Sequence, residues 1–241
     1  MPLSAQQRDE IGEVFNRFLE ARVRNLERLT LDHLKFNVLA LRATATMLEL
    51  ETPEALLRYR LAQHLERSLV TAMGSALQRV ARIIAGQGSG VAGADIEKVR
   101  DGRRYFIQVK SGPDTANKDI AQNIATLLNS ARARDPEAVC LLGVCYGRPD
   151  QISGIAHREM QSRGVGLLVG RAFWEFIGDD VGTMGEVLEL AAEAASGLEA
   201  RDETYSERVD RKFEELLAEF RRRYGGELTE EAWQLFLAEN S

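Results

Sequence analysis

Cysteine and histidine are scarce in this 241-residue chain, with two of the first and three of the second. Two cysteines cannot build a disulfide framework. Cys140 and Cys145 lie an odd number of positions apart on one predicted strand, so they face opposite sides and form no mutual bridge. Free thiols of this kind fit a reducing, cytoplasmic setting. His33, His64 and His157 are scattered and offer no pair at metal-ligand spacing. No run of about 18 apolar residues is present to span a membrane, and no signal peptide is read at the N-terminus. Internal repeats and low-complexity segments are also missing. The one GxGxxG match, Gly88 to Gly93, follows a helical pattern and enters a strand, the reverse of the dinucleotide-binding context. Its glycines serve a sharp turn instead.

Positive charge is in deficit overall, at a formal net of −6, which at first argues against a polyanionic partner. The distribution reverses that argument. Residues 1–171 carry 24 Lys and Arg against 19 Asp and Glu, whereas residues 172–241 carry 7 against 18. A basic set, Lys98, Arg100, Arg103, Arg104, Lys110 and Lys118, clusters in one stretch. Phosphate contacts would dominate binding there, although a solvated charged face has the same composition.

That stretch is also the most informative. Gly93 to Gly112, GADIEKVRDGRRYFIQVKSG, reads as a β-hairpin turning at Asp101-Gly102, a dipeptide that accepts positive φ at both central positions of a two-residue loop. The turn sets the register, pairing Val99 with Arg104, Glu97 with Phe106 and Asp95 with Gln108. Alternation then places Asp95, Glu97, Gln108 and Lys110 on one face, expected to carry chemistry. Ile96, Tyr105, Ile107 and Val109 fall on the other, expected to be core. A carboxylate, an amide oxygen and the Val109 carbonyl are hard oxygen donors that suit Mg²⁺ better than zinc or copper. The Lys110 ammonium beside them would orient a water near a phosphate and offset developing charge. An ordinary amphipathic hairpin with a solvated polar face fits the spacing equally well.

Flanking elements follow from caps and periodicity. Thr52-Pro53-Glu54 opens a long helix whose apolar stripe runs through Leu61, Leu65, Leu69, Met73, Leu77 and Val80. Glu66 borders that stripe and wants a partner, either the site or an arginine. After Gly112-Pro113, Thr115 or Asn117 caps a helix from about Lys118 to Arg132, whose N-terminal N–H groups and Lys118 would hold a DNA phosphate or simply pack. Ala138 to Tyr146 and Gly164 to Gly170 read as buried strands with a short helix, Ile155 to Ser162, between them. Helices are expected at about Ala5–Glu27 and Thr30–Leu50, and after the core at Gly185–Ala195, Glu203–Tyr224 and Thr229–Glu239. The stripes Phe213, Leu216, Leu217, Phe220 and Trp233, Phe236 would cover a core or form a dimer interface.

The hairpin resembles the PD-(D/E)XK nuclease signature, with Asp95 as first acid, Gln108 at the second acidic position and Lys110 as the lysine. QVKSGPDTANKD is similar to a segment found in a group of type II restriction endonucleases. LERSLVTAMGSALQRVA (Leu65 to Ala81) and VGRAFWEFIGD (Val169 to Asp179) resemble the same group. Two departures stand out: Ala94 replaces the usual proline, and Gln108 replaces an acid, which removes a negative ligand. Glu97 or Glu66 would compensate, since in several families of this superfamily a glutamate from the preceding helix enters the site. The resemblance implies an α/β fold with a restriction-endonuclease-like core, a mixed central β-sheet flanked by helices. It would be one domain over residues 1–241, with a helical part at 1–84, a catalytic core at 85–180 and a helical extension at 181–241.

The function implied is that of a site-specific type II restriction endonuclease. It would be a Mg²⁺-dependent homodimer cutting double-stranded DNA to 5′-phosphate and 3′-hydroxyl ends, paired with a cognate DNA methyltransferase. Asp95, Gln108, Lys110 and Glu66 would be catalytic, and Asp95, Val109 and Gln108 would hold metal. Lys118, Asn117, Thr115, Arg103 and Arg104 would meet DNA. The rivals are a structure-specific or repair nuclease of the same fold and a catalytically silent DNA-binding module.

Overall fold

The computed structural model of the chain describes residues 2–86, 92–113, 118–199 and 203–240. Helices α1 (Ala5–Glu27), α2 (Val38–Met47) and α3 (Pro53–Ile84) precede a hairpin of β1 (Ile96–Arg100) and β2 (Arg103–Lys110). Then come α4 (Lys118–Arg132), β3 (Val139–Val144), α5 (Gly154–Ser162), β4 (Val165–Val169) and α6 (Arg171–Gly178). Helices α7 (Thr183–Glu199), α8 (Tyr205–Tyr224) and α9 (Glu230–Glu239) follow. The chain divides into two compact units, one of Met1–Phe18 and Ala72–Ala195, the other of Leu19–Thr71 and Ser196–Ser241. Helices α1, α3 and α7 each run from one unit into the other.

In the first unit the four strands form one mixed sheet in the order β1-β2-β3-β4. The hairpin is antiparallel in the expected register, Ile96 opposite Ile107, Glu97 opposite Phe106 and Val99 opposite Arg104. Asp101 at φ 50° and Gly102 at φ 75° supply the two positive dihedrals the turn requires. β2, β3 and β4 are parallel neighbours, so α4 and α5 are crossovers. A fully buried run, Cys140 to Val144, explains why β3 sits in the middle of the sheet.

Both faces of the sheet are covered, which corrects the division into a chemical face and a core face. Phe106, on the face shared with Glu97 and Gln108, packs with Cys140, Leu142 and Val144 against Ala121, Ile124, Ala125 and Leu128 of α4. On the opposite face α6 presses Phe173 so close to Gly143 that a Cβ there would overlap the ring, and Phe176 meets Tyr105 edge-on at 4.9 Å. Trp174 donates its indole N–H to the Cys145 carbonyl at 2.7 Å. With both faces filled, the polar residues have access only where strands end.

The second unit is helical. Phe36, Leu56, Leu57, Leu61, Phe213, Leu216, Leu217, Phe220 and Phe236 form its core. The stripes on α8 and α9 are therefore core packing within this unit, which decides between the two roles the sequence leaves open. The helix expected over Thr30–Leu50 is interrupted: Leu31–Leu34 makes one 3₁₀ turn, Lys35 adopts φ 41°, and α2 restarts with Asn37 accepting the Ala40 N–H at 3.1 Å. An asparagine cap inside a helical pattern is the physical cause. The cap read at Thr52 is present, its hydroxyl accepting the Ala55 N–H at 3.2 Å, and the structure adds two caps, Thr204 and Thr229, which accept the Glu207 and Ala232 N–H groups at 3.2 Å.

Candidate active site

The site lies where β1 begins later than β2 ends. Asp95 precedes β1, and its backbone N–H donates to the Ile107 carbonyl at 2.9 Å. Past that point the side chain continues the ladder: Asp95 Oδ2 accepts the Val109 N–H at 2.8 Å. In an extended strand the N–H and C=O of one residue point to the same side. The Val109 carbonyl therefore faces the same space as the Asp95 carboxylate. The next residue bonds the other way, the Lys110 carbonyl accepting the Cys145 N–H at 2.9 Å.

The C-terminal half of α3 closes this space with residues four apart. Gly74 approaches Ser111, where a Cβ would lie 3.2 Å from its hydroxyl. One turn on, Gln78 donates Nε2–H to the Val109 carbonyl at 2.9 Å. A further turn on, Arg82 donates to Asp95 Oδ1 at 3.0 Å and to the Asp95 carbonyl at 3.2 Å. Positions i, i+4 and i+8 share one helix face, so this stripe runs alongside the end of β2. Arg82 also lines, with Arg79, Gln7, Glu10 and the Arg17–Glu13 pair, a groove of about 770 Å³. Gln78 and Arg82 are the residues that sequence reasoning missed. The available signal was their four-residue spacing from a glycine placed in mid-helix.

Of the expected site residues, Asp95, Val109 and Lys110 come together. Lys110 is half-buried at the end of β2, and its ammonium makes no hydrogen bond or ion pair among the described residues. Gln108 takes another part: its amide donates to the Gly93 carbonyl at 3.3 Å. Gly93 has φ 93° and a Cβ position only 2.5 Å from the Leu127 carbonyl of α4, so this turn into Asp95 requires glycine. Glu97 is paired with Arg104, which also reaches Asp135 at 2.9 Å. Glu66 is exposed in the stretch of α3 that belongs to the second unit. Among the described residues no three His, Cys, Asp or Glu side chains gather as a metal site.

The basic set is less free than its composition implies. Lys98 is buried, donating to the Ile177 carbonyl at 2.9 Å and to Asp179 at 2.6 Å. Arg100 lies 3.6 Å from Asp179. Arg103 and Arg104 stand at the turn end of the hairpin, about 20–23 Å along β2 from Lys110. Lys118 is exposed at the start of α4, while Thr115 and Asn117 lie outside the described residues.

A family model described as Type II restriction endonuclease EcoO109I matches residues 6–197. No curated protein sequence matches the chain. The matched span contains the mixed sheet, the whole of α3 and the Asp95–Val109–Lys110 cluster. The chain belongs to the type II restriction endonuclease EcoO109I family, a family of DNA nucleases.

Proposed function

We propose that the protein is a site-specific endonuclease that hydrolyses phosphodiester bonds of double-stranded DNA at the end of β2. The single observation that carries this reading is the Asp95 carboxylate bonded to the Val109 N–H, with Lys110 next in the strand. The donor set fits Mg²⁺. Asp95 and Val109 offer only oxygen, and a carboxylate or carbonyl oxygen that accepts one hydrogen bond keeps further lone-pair sites. One carboxylate and a carbonyl suffice for an ion that retains waters and takes its remaining ligands from substrate phosphate. Asp95 and Val109 would hold it, and it would supply Lewis-acid charge at the scissile phosphate. Gln108 would act on this set mainly by holding the Gly93 turn.

Lys110 would orient the attacking water and stabilise charge on the non-bridging oxygens. The water oxygen bonds to phosphorus as the bond to the 3′ oxygen breaks, leaving 5′-phosphate and 3′-hydroxyl ends. Arg82, in reach of both Asp95 and the groove, would bind a flanking phosphate. A homodimer would read a two-fold symmetric site, and a cognate methyltransferase would protect host DNA in the cytoplasm. A second reading, a silent DNA-binding module, is favoured by the position of Gln108 and by the pairing of Asp95 with Arg82.

Purified protein incubated with unmethylated phage and plasmid DNA, with Mg²⁺ or with EDTA, separates these readings on a gel. Discrete Mg²⁺-dependent bands are expected. Intact DNA, with binding that ignores metal, would overturn the nuclease reading in favour of the silent module.

A further inference from the structure

The second unit contains a groove of about 340 Å³ between the start of α2 and the middle of α3. Lys35, Arg60 and Arg67 line it together with neutral polar groups such as Asn37, Thr44 and Gln63, and no acidic residue does. None of the three cations is in an ion pair among the described residues. Arg60 is held rigidly, donating to the Leu34 and Lys35 carbonyls at 2.7 and 2.8 Å and to Gln63 Oε1 at 3.1 Å. Those bonds keep Lys35 at φ 41°, in the left-handed region that a lysine rarely occupies. Burial lowers the basicity of Arg60 and of His64 on the next turn, and the Arg67 charge lowers both further. The groove thus gathers like charges that repel one another and lack a protein counter-ion, in a unit whose C-terminal part is strongly acidic.

We propose that this groove binds backbone phosphates of duplex DNA and anchors the substrate independently of sequence. The choice of duplex DNA rests on the nuclease reading above. Fixed cations with no exposed aromatic platform suit phosphate contact and not the stacking of single-stranded bases. Tyr59, the groove's aromatic residue, is half-buried with its hydroxyl accepting from Gln63.

The test measures anisotropy of a labelled random-sequence duplex in EDTA over a series of salt concentrations, using the full chain. Lys35→Gln with Arg67→Gln removes two exposed charges and leaves the fold-bearing Arg60 in place. This double variant should melt like the wild type, with a salt dependence of log K shallower by about 1.8 units, at about 0.9 per phosphate contact. Arg28→Gln, an exposed cation elsewhere in the same unit, should leave the slope unchanged. A wild-type slope in the double variant would overturn the groove. Asp95→Ala should bind with the wild-type slope and cleave at least about a hundredfold more slowly; cleavage at the wild-type rate by that variant would overturn the nuclease site while leaving the groove to stand on the slopes.

Discussion

Asp95 has two jobs that substitution can separate. Its carboxylate would supply charge at the proposed site, and it satisfies the Val109 N–H where the β1 ladder has ended. Asp95→Ala leaves that N–H unpaired, at an expected cost of about 1–3 kcal/mol in urea unfolding. Asp95→Asn keeps an acceptor oxygen and should stay within about 1 kcal/mol of the wild type. Both variants should lose cleavage by about a hundred- to a thousandfold, as should Lys110→Ala, which disturbs no hydrogen bond among the described residues. An Asp95→Asn enzyme cutting at the wild-type rate would show that the charge is not used. The cysteines give a second residue-scale test. Burial pushes the Cys145 thiol up to about 12 and raises Cys140 as well. Neither should react with a thiol reagent at pH 8 until the chain is unfolded. The unfolded thiol ionises near about 8.5, so this contribution to stability is complete below that pH and declines as pH rises toward the folded value.

At the scale of elements, α3 and the turn into Asp95 decide the geometry. Gln78 and Arg82 are the α3 residues that bond the Val109 carbonyl and the Asp95 carboxylate. Gln78→Ala should lower cleavage by about tenfold through loss of the Val109 anchor, while Glu66→Gln should leave it within about twofold. Equal losses in the two variants would place Glu66 in the site. The Gly93 turn is the structural counterpart. Gly93→Ala places a Cβ against the α4 backbone at a positive φ and should destabilise by at least about 1–3 kcal/mol. A neutral result in chemical denaturation would mean that this approach relaxes freely.

At the scale of the whole molecule, the acidic tail is folded structure, because α8 and α9 bury their apolar stripes in the core of the second unit. The surfaces that would pair two copies are therefore not those stripes. Light scattering on the full chain with a palindromic duplex should give a protein mass near twice the 26.9 kDa of one chain. A single copy per duplex would remove the two-fold reading.

The sequence by itself determined neither α6 nor the break at Lys35, but it did determine the hairpin register, the four strands, most of the helices and the Thr52 cap. Each of these depends on neighbours in the chain: a two-residue turn, a period, or a side chain beside its own N–H groups. It also made Asp95 and Lys110 legible, since a hairpin brings residues 15 apart together by local rules alone. Only the tertiary structure decided that both sheet faces are buried, that Lys98 is an internal ion-pair partner, and that Gln108 holds the Gly93 turn. Only it showed Gln78 and Arg82 at the site and Lys35 beside Arg67. Those groups meet through packing between elements distant in the chain, and sequence periodicity shows which face of a helix is buried but not which atoms it will meet there.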